Sequence, residues 1–305
     1  MRVVSLLPSA TEICYALGVE PVGVSHECDY PPAARSRPAV NDVRIDPDTD
    51  SAAINEQVAA VEQGEGIYEI DADLLDDIDP DVVITQGLCD VCAVDQILVA
   101  DVLDARGIDA EIVTTDTHSL ADLYEDVRQI GAATGREDRA AELVADLQSR
   151  IEALRNRVAA IEEQPSVAVF DWMDPVMVAG HWVPELVAAA GGRYPLMETG
   201  EHSRPWEWDE IREADPDVIV VSPCGFDLDQ TRENLADLTD RPGWQDLTAV
   251  QNDCVYLLDG HHFVNRPGPR LVETAEHLAG LLYPDEFERP PEDVTVPLTK
   301  TAARE

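Results

Sequence analysis

The chain has 305 residues, and its 62 acidic residues outnumber its 21 basic ones to give a formal net charge of −41. This length fits two domains of about 100–150 residues each. An apolar fraction of 45% allows each domain a hydrophobic core. Lys300 is the only lysine, and no basic patch is visible. The composition therefore argues against nucleic-acid binding, which needs cations for the phosphates.

The acidic surface also predicts where the protein works. Concentrated salt screens charge repulsion beyond about 3 Å, and an acidic, lysine-poor surface stays hydrated there, so we expect a halophilic source. Residues 2–9 lack the long apolar run of a signal peptide, which predicts a cytoplasmic protein. A true start upstream of Met1 would instead predict a membrane-associated or extracytoplasmic one. No apolar run approaches the ~20 residues of a membrane span.

In the first half of the chain, short apolar runs alternate with helical patterns. We predict strands at residues 3–7, 21–25, 81–85 and 110–114. A helix is predicted over residues 9–18, because Ser9 and Glu12 have the spacing of a capping box. Another is predicted over residues 95–106. This alternation favours a mainly parallel sheet covered by helices.

Two helices follow, at 119–134 and 137–163, and the second is about 40 Å long at 1.5 Å per residue. Strands at 167–170 and 176–179 and a helix at 184–190 then resume the alternation. The clearest repeat is Asp-Pro-Asp-Val, at residues 79–82 and again at 215–218. It indicates two equivalent lobes.

The predicted fold is therefore α/β, with two Rossmann-like lobes of parallel sheets joined by a single long backbone helix. We place the N-terminal lobe at residues 1–118 and a helical region with the backbone helix at 119–164. The C-terminal lobe spans 165–287, and a frayed polar tail spans 288–305.

Ligands of parallel α/β sheets bind beyond the carboxyl ends of the strands. The predicted strand ends carry thiols, imidazoles and amides, which makes them candidate ligand or metal contacts: His26, Cys28, Gln86, Cys89, Cys92, His181, Trp182 and Cys224. His118, just before a helix, is interpreted as an ordinary loop residue.

The cysteines leave two interpretations open. Cys89 and Cys92 have the C-x-x-C spacing of zinc, iron–sulfur or redox sites. Together with Cys28 and Cys224 they would make a tetrahedral set, of which the spacing supports only a part, and all four are also compatible with small buried residues. No nucleophile elbow, P-loop, GxGxxG or HExxH motif occurs, which argues against an enzyme.

Aromatic side chains stand at comparable places in the two halves. Trp206 precedes a helix of the second half, and Tyr68 has the corresponding position in the first. Aromatic rings bury about 150–250 Å² each and suit a large flat ligand. Trp208, two residues further on, is expected to be partly buried.

Several segments together resemble class III (helical-backbone) ABC-transporter substrate-binding proteins, and most closely their cobalamin-binding branch. They are residues 2–18, 79–84, 131–137, 180–192, 215–219 and 266–270. Residues 25–31 and 86–94 resemble a subgroup without export signals. The resemblance implies two lobes around a rigid helix and a ligand in the cleft between them. It also implies ligand contacts from Trp206 and Tyr68.

We therefore expect a binding protein and not an enzyme. It would bind a corrinoid (cobalamin) through Tyr68, Trp206, His26, His181, Trp182, Gln86 and Arg266. Its role would be to serve an ABC permease and ATPase, or to handle cobalamin inside the cell, as a monomer. Two alternatives stay open: a haem or iron-chelate binder, and an enzyme or sensor with a cysteine-ligated metal or iron–sulfur centre.

Overall fold

The computed structural model describes residues 1–46, 49, 51–61, 67–88, 94 and 96–298. The chain forms two compact units. Unit 1 comprises residues 1–117 and 121–146, and unit 2 comprises residues 118–120 and 147–305. None of the described helices is both long enough and apolar enough to cross a membrane.

Unit 1 contains six strands among its described residues: β1 (Val3–Ser5), β2 (Gly23–Ser25), β3 (Ala39–Val43), β4 (Tyr68–Ile70), β5 (Val82–Gln86) and β6 (Glu111–Thr115). Its helices are α1 (Pro8–Ala16), α2 (Ser51–Val61), α3 (Ala72–Ile78), α4 (Gln96–Arg106), α5 (Leu120–Ala133) and the first half of α6 (Glu137–Val158). The strand order is β4-β3-β2-β1-β5-β6. All neighbours are parallel except β3 and β4. The core packs apolar strand residues against α3 and α4.

Unit 2 also has six strands among its described residues: β7 (Val167–Met173), β8 (Val176–Val178), β9 (Arg204–Pro205), β10 (Val218–Val221), β11 (Val255–Leu258) and β12 (Thr295–Pro297). Its helices are the second half of α6, α7 (Val183–Ala189), α8 (Trp208–Ala214), α9 (Leu228–Glu233), α10 (Ala236–Thr239), α11 (Thr248–Gln251) and α12 (Leu271–Leu282). The order is β12-β11-β10-β7-β8-β9. Only β7, β10 and β11 form parallel pairs.

The Asp-Pro-Asp-Val repeat performs the same task in each unit. Asp79 and Asp215 end α3 and α8 in the left-handed region, with φ of 47° and 38°. Two residues later, Asp81 accepts a hydrogen bond from the backbone N–H of Arg2, just before β1. Asp217 accepts one from the N–H of Ser166, just before β7. The Arg2 N–H bond lowers the pKa of Asp81, and hydrogen bonds from the Ser166 hydroxyl and N–H lower the pKa of Asp217.

The two-lobe α/β fold with a long connecting helix is confirmed, and three details are corrected. The sheets are mixed rather than parallel, because short edge strands pair antiparallel in both units. The helix α6 ends at Val158 rather than 163. Beyond it the chain forms a tighter turn, in which Ile161 N–H donates to Val158 O three residues earlier. The division into four segments stays a prediction.

Two local predictions are wrong. Ser9 does not cap α1: the helix begins at Pro8, whose missing N–H suits a first helical position, and Leu7 is the N-cap. The tail is not frayed throughout, since Thr295–Pro297 forms β12 beside β11. Apolar Val294 and Leu298 on either side of this strand are buried, which holds the segment on the sheet edge.

Candidate functional site

Buried polar atoms without a hydrogen-bond partner mark the carboxyl edges of both sheets. Among the described residues there are four such atoms. Trp206 Nε1 and Ser222 Oγ follow β9 and β10 directly. Asn41 Oδ1 lies within β3, opposite the last residue of β2, and Asp171 Oδ1 lies within β7, one residue past the last pair with β10. More than 90% of buried polar groups in proteins have a partner, and each orphan costs about 1–3 kcal/mol. The position of these four therefore points to ligand binding at the strand ends.

In unit 1, hydroxyl and thiol groups near the carboxyl end of β1 form hydrogen bonds with one another. Thr11 Oγ1 lies 2.9 Å from Ser5 Oγ and 3.1 Å from Cys28 Sγ. Cys28 is buried with Val24 and Ala34. This environment matches the interpretation of Cys28 as a small buried residue.

His26, Asn41 and Tyr68 form a second group in unit 1. His26 Nδ1 lies 3.3 Å from Asn41 Nδ2, and the rings of His26 and Tyr68 are tilted with centroids 6.2 Å apart. Tyr68 is only 6% exposed and packs in the hydrophobic core of unit 1. The structure thus brings His26 and Tyr68 together, but it shows little of the Tyr68 ring at the surface.

Gln86 at the end of β5 is buried, and its Oε1 accepts a hydrogen bond from Leu88 N–H at 2.6 Å.

After the neighbouring strand β6, Thr117 Oγ1 donates to Asp126 Oδ2 at 2.5 Å. Burial raises the pKa of Asp126 to about 6, although the Thr117 hydrogen bond works to lower it. Cys89 and Cys92 lie outside the described residues, so the predicted four-cysteine site stays a prediction.

In unit 2, Asp171 sits at a register shift between β7 and β8. Such a bulge re-aims a side chain out of the regular alternation. Burial raises the pKa of Asp171 to about 7, while a hydrogen bond with the Ser203 side chain works to lower it. Asp171 in turn helps to raise the pKa of Tyr194, whose pKa is raised chiefly by burial.

Three imidazoles of unit 2 lie together: His118, His181 and His202. The Nδ1 atoms of His118 and His181 are 3.2 Å apart. His181 has φ of 52°, and Gly180 before it is so close to the facing loop that a Cβ there would lie 2.1 Å from Glu201 O. His118, interpreted from the sequence as an ordinary loop residue, thus packs against the predicted site residue His181.

Three tryptophans differ in their surroundings. Trp182 is buried, stacks on His181 and donates to Val264 O at 2.8 Å. The guanidinium carbon of the exposed Arg204 lies over the indole of Trp206, 4.3 Å from the ring centroid. Trp206 Nε1 has no hydrogen-bond partner. Trp208 stacks on Trp244 and donates to Pro242 O, as befits a structural residue.

A π-helical turn, Gly260–Val264, follows β11. Asp259 accepts from the backbone N–H of His261 and His262, and its Oδ2 lies 2.8 Å from His262 Nδ1. Burial works to raise the pKa of Asp259, but these bonds and the nearby imidazoles hold it below its usual value. Arg266, a predicted contact, is buried with its Nη2 2.8 Å from His261 Nε2.

Cys224 lies beside this edge, partly buried, with its N–H donating to Asp171 O at 2.9 Å. Sequence reasoning missed Asp171, His202, Asp259, His261 and His262. Asp259 and the two histidines do follow an apolar run directly, which is a signal that could have found them. Asp171 gave no such signal, because it lies within a strand.

Residues 3–261 match the sequence profile of a family described as periplasmic binding protein. The chain is similar to the uncharacterized ABC transporter substrate-binding lipoprotein YvrC of Bacillus subtilis, with 26% identity over 295 residues, 94% of this chain and 81% of the relative. It is also similar to the vitamin B12-binding protein of Vibrio cholerae, with 23% identity over 287 residues, 92% of this chain and 88% of that protein.

Solved structures share the fold. A periplasmic heme-binding protein of Pseudomonas aeruginosa superposes with a TM-score of 0.71 at 20% identity, covering 99% of this chain and 96% of that one. RhuT, a periplasmic heme-binding protein from Roseiflexus sp. RS-1, gives 0.69 at 24%, covering 93% and 98%. The vitamin B12-binding protein BtuF of Vibrio cholerae gives 0.65 at 22%, covering 92% and 96%.

Proposed function

Because the chain belongs to the periplasmic binding protein family, we propose that it binds a corrinoid such as cobalamin and delivers it to the permease and ATPase of an ABC importer. Members of this family bind solutes and are not enzymes, so solute binding for ABC uptake is the general function of the chain. The corrinoid is the finer part of the proposal. A relative in Vibrio cholerae is a vitamin B12-binding protein.

One observation carries the choice of ligand: the buried polar groups that lack a hydrogen-bond partner at the carboxyl edge of the second sheet include no permanently charged group. Trp206 Nε1 and Ser222 Oγ lack partners, and burial keeps Asp171 largely protonated below about pH 7. The rim of a corrin ring carries neutral carboxamides, which donate and accept hydrogen bonds. These carboxamides would form hydrogen bonds with Trp206 Nε1 and Ser222 Oγ. For this, the residues that cover the two atoms would have to move aside.

The arginines of the same edge support this choice over an anionic ligand. Arg266 is buried and bonded to His261. Arg270 is also buried, with its guanidinium 5.2 Å from the ring centroid of Phe263. A haem would bring two propionates, whose buried charge needs a cation or several donors. Arg204 is exposed and lies over Trp206, and it is the cation best placed to serve one propionate.

Haem is the second candidate, and the imidazoles favour it. Haem iron takes histidine as an axial ligand, and two histidines of unit 2 follow strands directly or within a few residues: His181 after β8 and His262 after β11. A haem ligand requires an open face on one imidazole and a partner for each propionate. Solved relatives of the same fold include heme-binding proteins.

A parallel titration separates the two ligands. Purified protein in molar KCl is titrated with cyanocobalamin and, separately, with haemin, by calorimetry and absorption. We expect cyanocobalamin to bind one per chain with a micromolar or lower Kd, and haemin to bind more weakly. Tight haemin binding with a Soret shift and no heat from cyanocobalamin would replace the corrinoid by haem.

We further propose that the protein works in concentrated salt, as its charge of −41 suggests. Repulsion among the carboxylates falls as the screening length shortens from about 10 Å at 0.1 M to about 3 Å at 1 M salt. The melting temperature should therefore rise steadily from 0.1 to 2 M KCl. Fractionation of the native cells then shows on which side of the membrane the protein lies.

A further inference from the structure

We propose that His118, His181 and His202 of unit 2 form a binding site for a transition-metal ion of the Zn²⁺ class. This goes beyond corrinoid binding and does not depend on it. Neutral imidazole nitrogens are ligands that Zn²⁺, Cu²⁺, Ni²⁺ and Co²⁺ prefer. The three rings lie with centroids 4.8–5.4 Å apart, all within one unit.

The spacing of two nitrogens suits a shared ion. His118 Nδ1 and His181 Nδ1 are 3.2 Å apart. Two nitrogens at this separation, each about 2.1 Å from one zinc ion, subtend an angle of roughly 100° at the metal. This lies between the octahedral and tetrahedral angles. Without a metal, the same pair can share one hydrogen, so the geometry serves both states.

His202 supplies the third ligand. Its ring stands edge-on to both others, with interplanar angles of 79° to His118 and 81° to His181. Its side chain is exposed at the surface. In this structure the nitrogens of the three histidines do not all lie within 4.8 Å of one another, so His202 has to turn toward the pair when the ion binds. Water would then complete a four-coordinate ion, as in sites with three protein ligands and one open position.

The turn that carries His181 is held in place before any ion arrives. His181 N–H donates to Glu201 O at 2.6 Å, and Gly200 N–H donates to His181 O at 2.9 Å. Gly180 N–H donates to Ser203 Oγ at 2.9 Å. These bonds tie the turn to the loop that carries His202 and keep His181 at φ 52°, a conformation that costs of order 1–3 kcal/mol. Strain held by surrounding structure is typical of functional residues.

His118 has an anchor of its own. Two residues later, Leu120 N–H donates to Glu185 Oε2 at 3.0 Å. The other oxygen of Glu185 accepts from Arg155 Nη2 at 2.9 Å. The segment of residues 118–120 is thus fixed to α7. Ligands held on anchored segments lose little freedom when they bind an ion, which raises affinity.

The acidic surface requires a test that separates imidazole from carboxylate sites. Protein freed of metal by chelator dialysis is titrated with Zn²⁺ by calorimetry at pH 7.5, in molar KCl with excess Mg²⁺ to occupy carboxylates. Carboxylate oxygens suit Mg²⁺, whereas imidazoles do not. We expect one Zn²⁺ per chain and a rise in melting temperature. His118→Gln and His181→Gln should each weaken binding by about tenfold or more.

His262→Gln is the matched control, because its imidazole bonds to Asp259 and lies outside the cluster. It should leave the Zn²⁺ affinity unchanged. Melting without metal shows whether each variant is folded; if His181→Gln fails to fold, His118→Gln decides. Equal affinity in the wild type and His118→Gln, loss of binding in His262→Gln, or no saturable Zn²⁺ heat in excess Mg²⁺ would each overturn the proposal. No corrinoid enters this test, so its failure leaves the proposed function untouched.

Discussion

The carboxyl edges of the two sheets differ in how well their polar groups are satisfied. In unit 1, Thr11 bonds to Ser5 and Cys28, and Thr117 bonds to Asp126. The edge of unit 2 instead holds three of the four buried side-chain atoms without a partner among the described residues. The two α/β sheets thus differ: the polar groups at the edge of the first largely bond to one another, and several at the edge of the second lack a partner.

Local irregularities of the backbone distinguish unit 2 from unit 1. Unit 2 has a bulge at Asp171, a left-handed turn at His181 and a π-helical turn after β11. Each device re-aims polar side chains, and irregularities of these kinds are enriched at functional sites. We infer that unit 2 contributes most of the ligand-specific chemistry.

Asp171→Asn should have the largest effect, on the pH dependence of stability. The pKa of Asp171 is about 7 in the folded state, whereas the ordinary value for an aspartate, expected in the unfolded chain, is 3.8. The folded state therefore keeps a proton that the unfolded state releases, so stability falls as pH rises from about 4 to 7. At 1.36 kcal/mol per unit, this lowers the free energy of unfolding by about 4 kcal/mol. Denaturant titrations at pH 4, 6 and 8 should show Asp171→Asn gaining stability relative to wild type.

The corresponding acid of unit 1 is the control. Asp126 has a pKa of about 6, and both of its oxygens accept hydrogen bonds. Cyanocobalamin should alter the pH dependence contributed by Asp171 and leave that of Asp126 unchanged. If the difference in free energy of unfolding between wild type and Asp171→Asn does not vary with pH, Asp171 is ionised in the folded state. That result would contradict a protonated Asp171.

Trp206→Ala should weaken cyanocobalamin binding by about 100-fold, since a buried aromatic contact is worth about 2–4 kcal/mol. Trp208→Ala is the matched control, two residues away: its indole bonds to Pro242 and stacks on Trp244. That change should lower the melting temperature with little loss of affinity in the folded protein. Calorimetry and thermal melts of both variants measure the contrast, and equal loss of affinity would contradict it.

These contrasts also show how far the sequence could be read. The alternation of apolar runs and the repeated Asp-Pro-Asp-Val predicted the fold, because both depend on local pattern. The strand ends predicted His26, His181 and Cys224 as edge residues. The role of Asp171 was not predictable, since its bulge arises from pairing with β8. His202 depends on the close approach of Gly180 to residue 201, a tertiary contact without a local signal.

Asp259→Asn tests the π-helical turn with a smaller effect. The pKa of Asp259 is below its usual 3.8, so its contribution to stability is present above about pH 4 and is lost as pH falls through the lower folded value. The variant should lose about 1–2 kcal/mol at pH 7 and should approach the wild type at pH 2–3. Denaturant titrations at both pH values check this. A deficit that persists at low pH would show that the loss is steric.

Cysteine substitutions should have the smallest effect. Cys28 is buried beside Thr11, so Cys28→Ser should cost about 1 kcal/mol of stability without changing cyanocobalamin affinity. Cys89→Ser with Cys92→Ser should leave both quantities unchanged if these thiols hold no metal. Metal analysis and visible spectra of anaerobically purified protein accompany the test. A stoichiometric metal or an iron–sulfur spectrum that disappears in the double variant would revive the cysteine-ligated centre.

Hydrogen exchange with and without cyanocobalamin tests the central claim most directly. We expect cyanocobalamin to slow exchange along the carboxyl edge of the second sheet, at residues 171–176, 205–206 and 222–226. The amino edge of the same sheet, at residues 164–168 and 215–218, should exchange at an unchanged rate. Protection at the amino edge, with none at the carboxyl edge, would contradict the claim that the ligand chemistry of unit 2 lies at its strand ends.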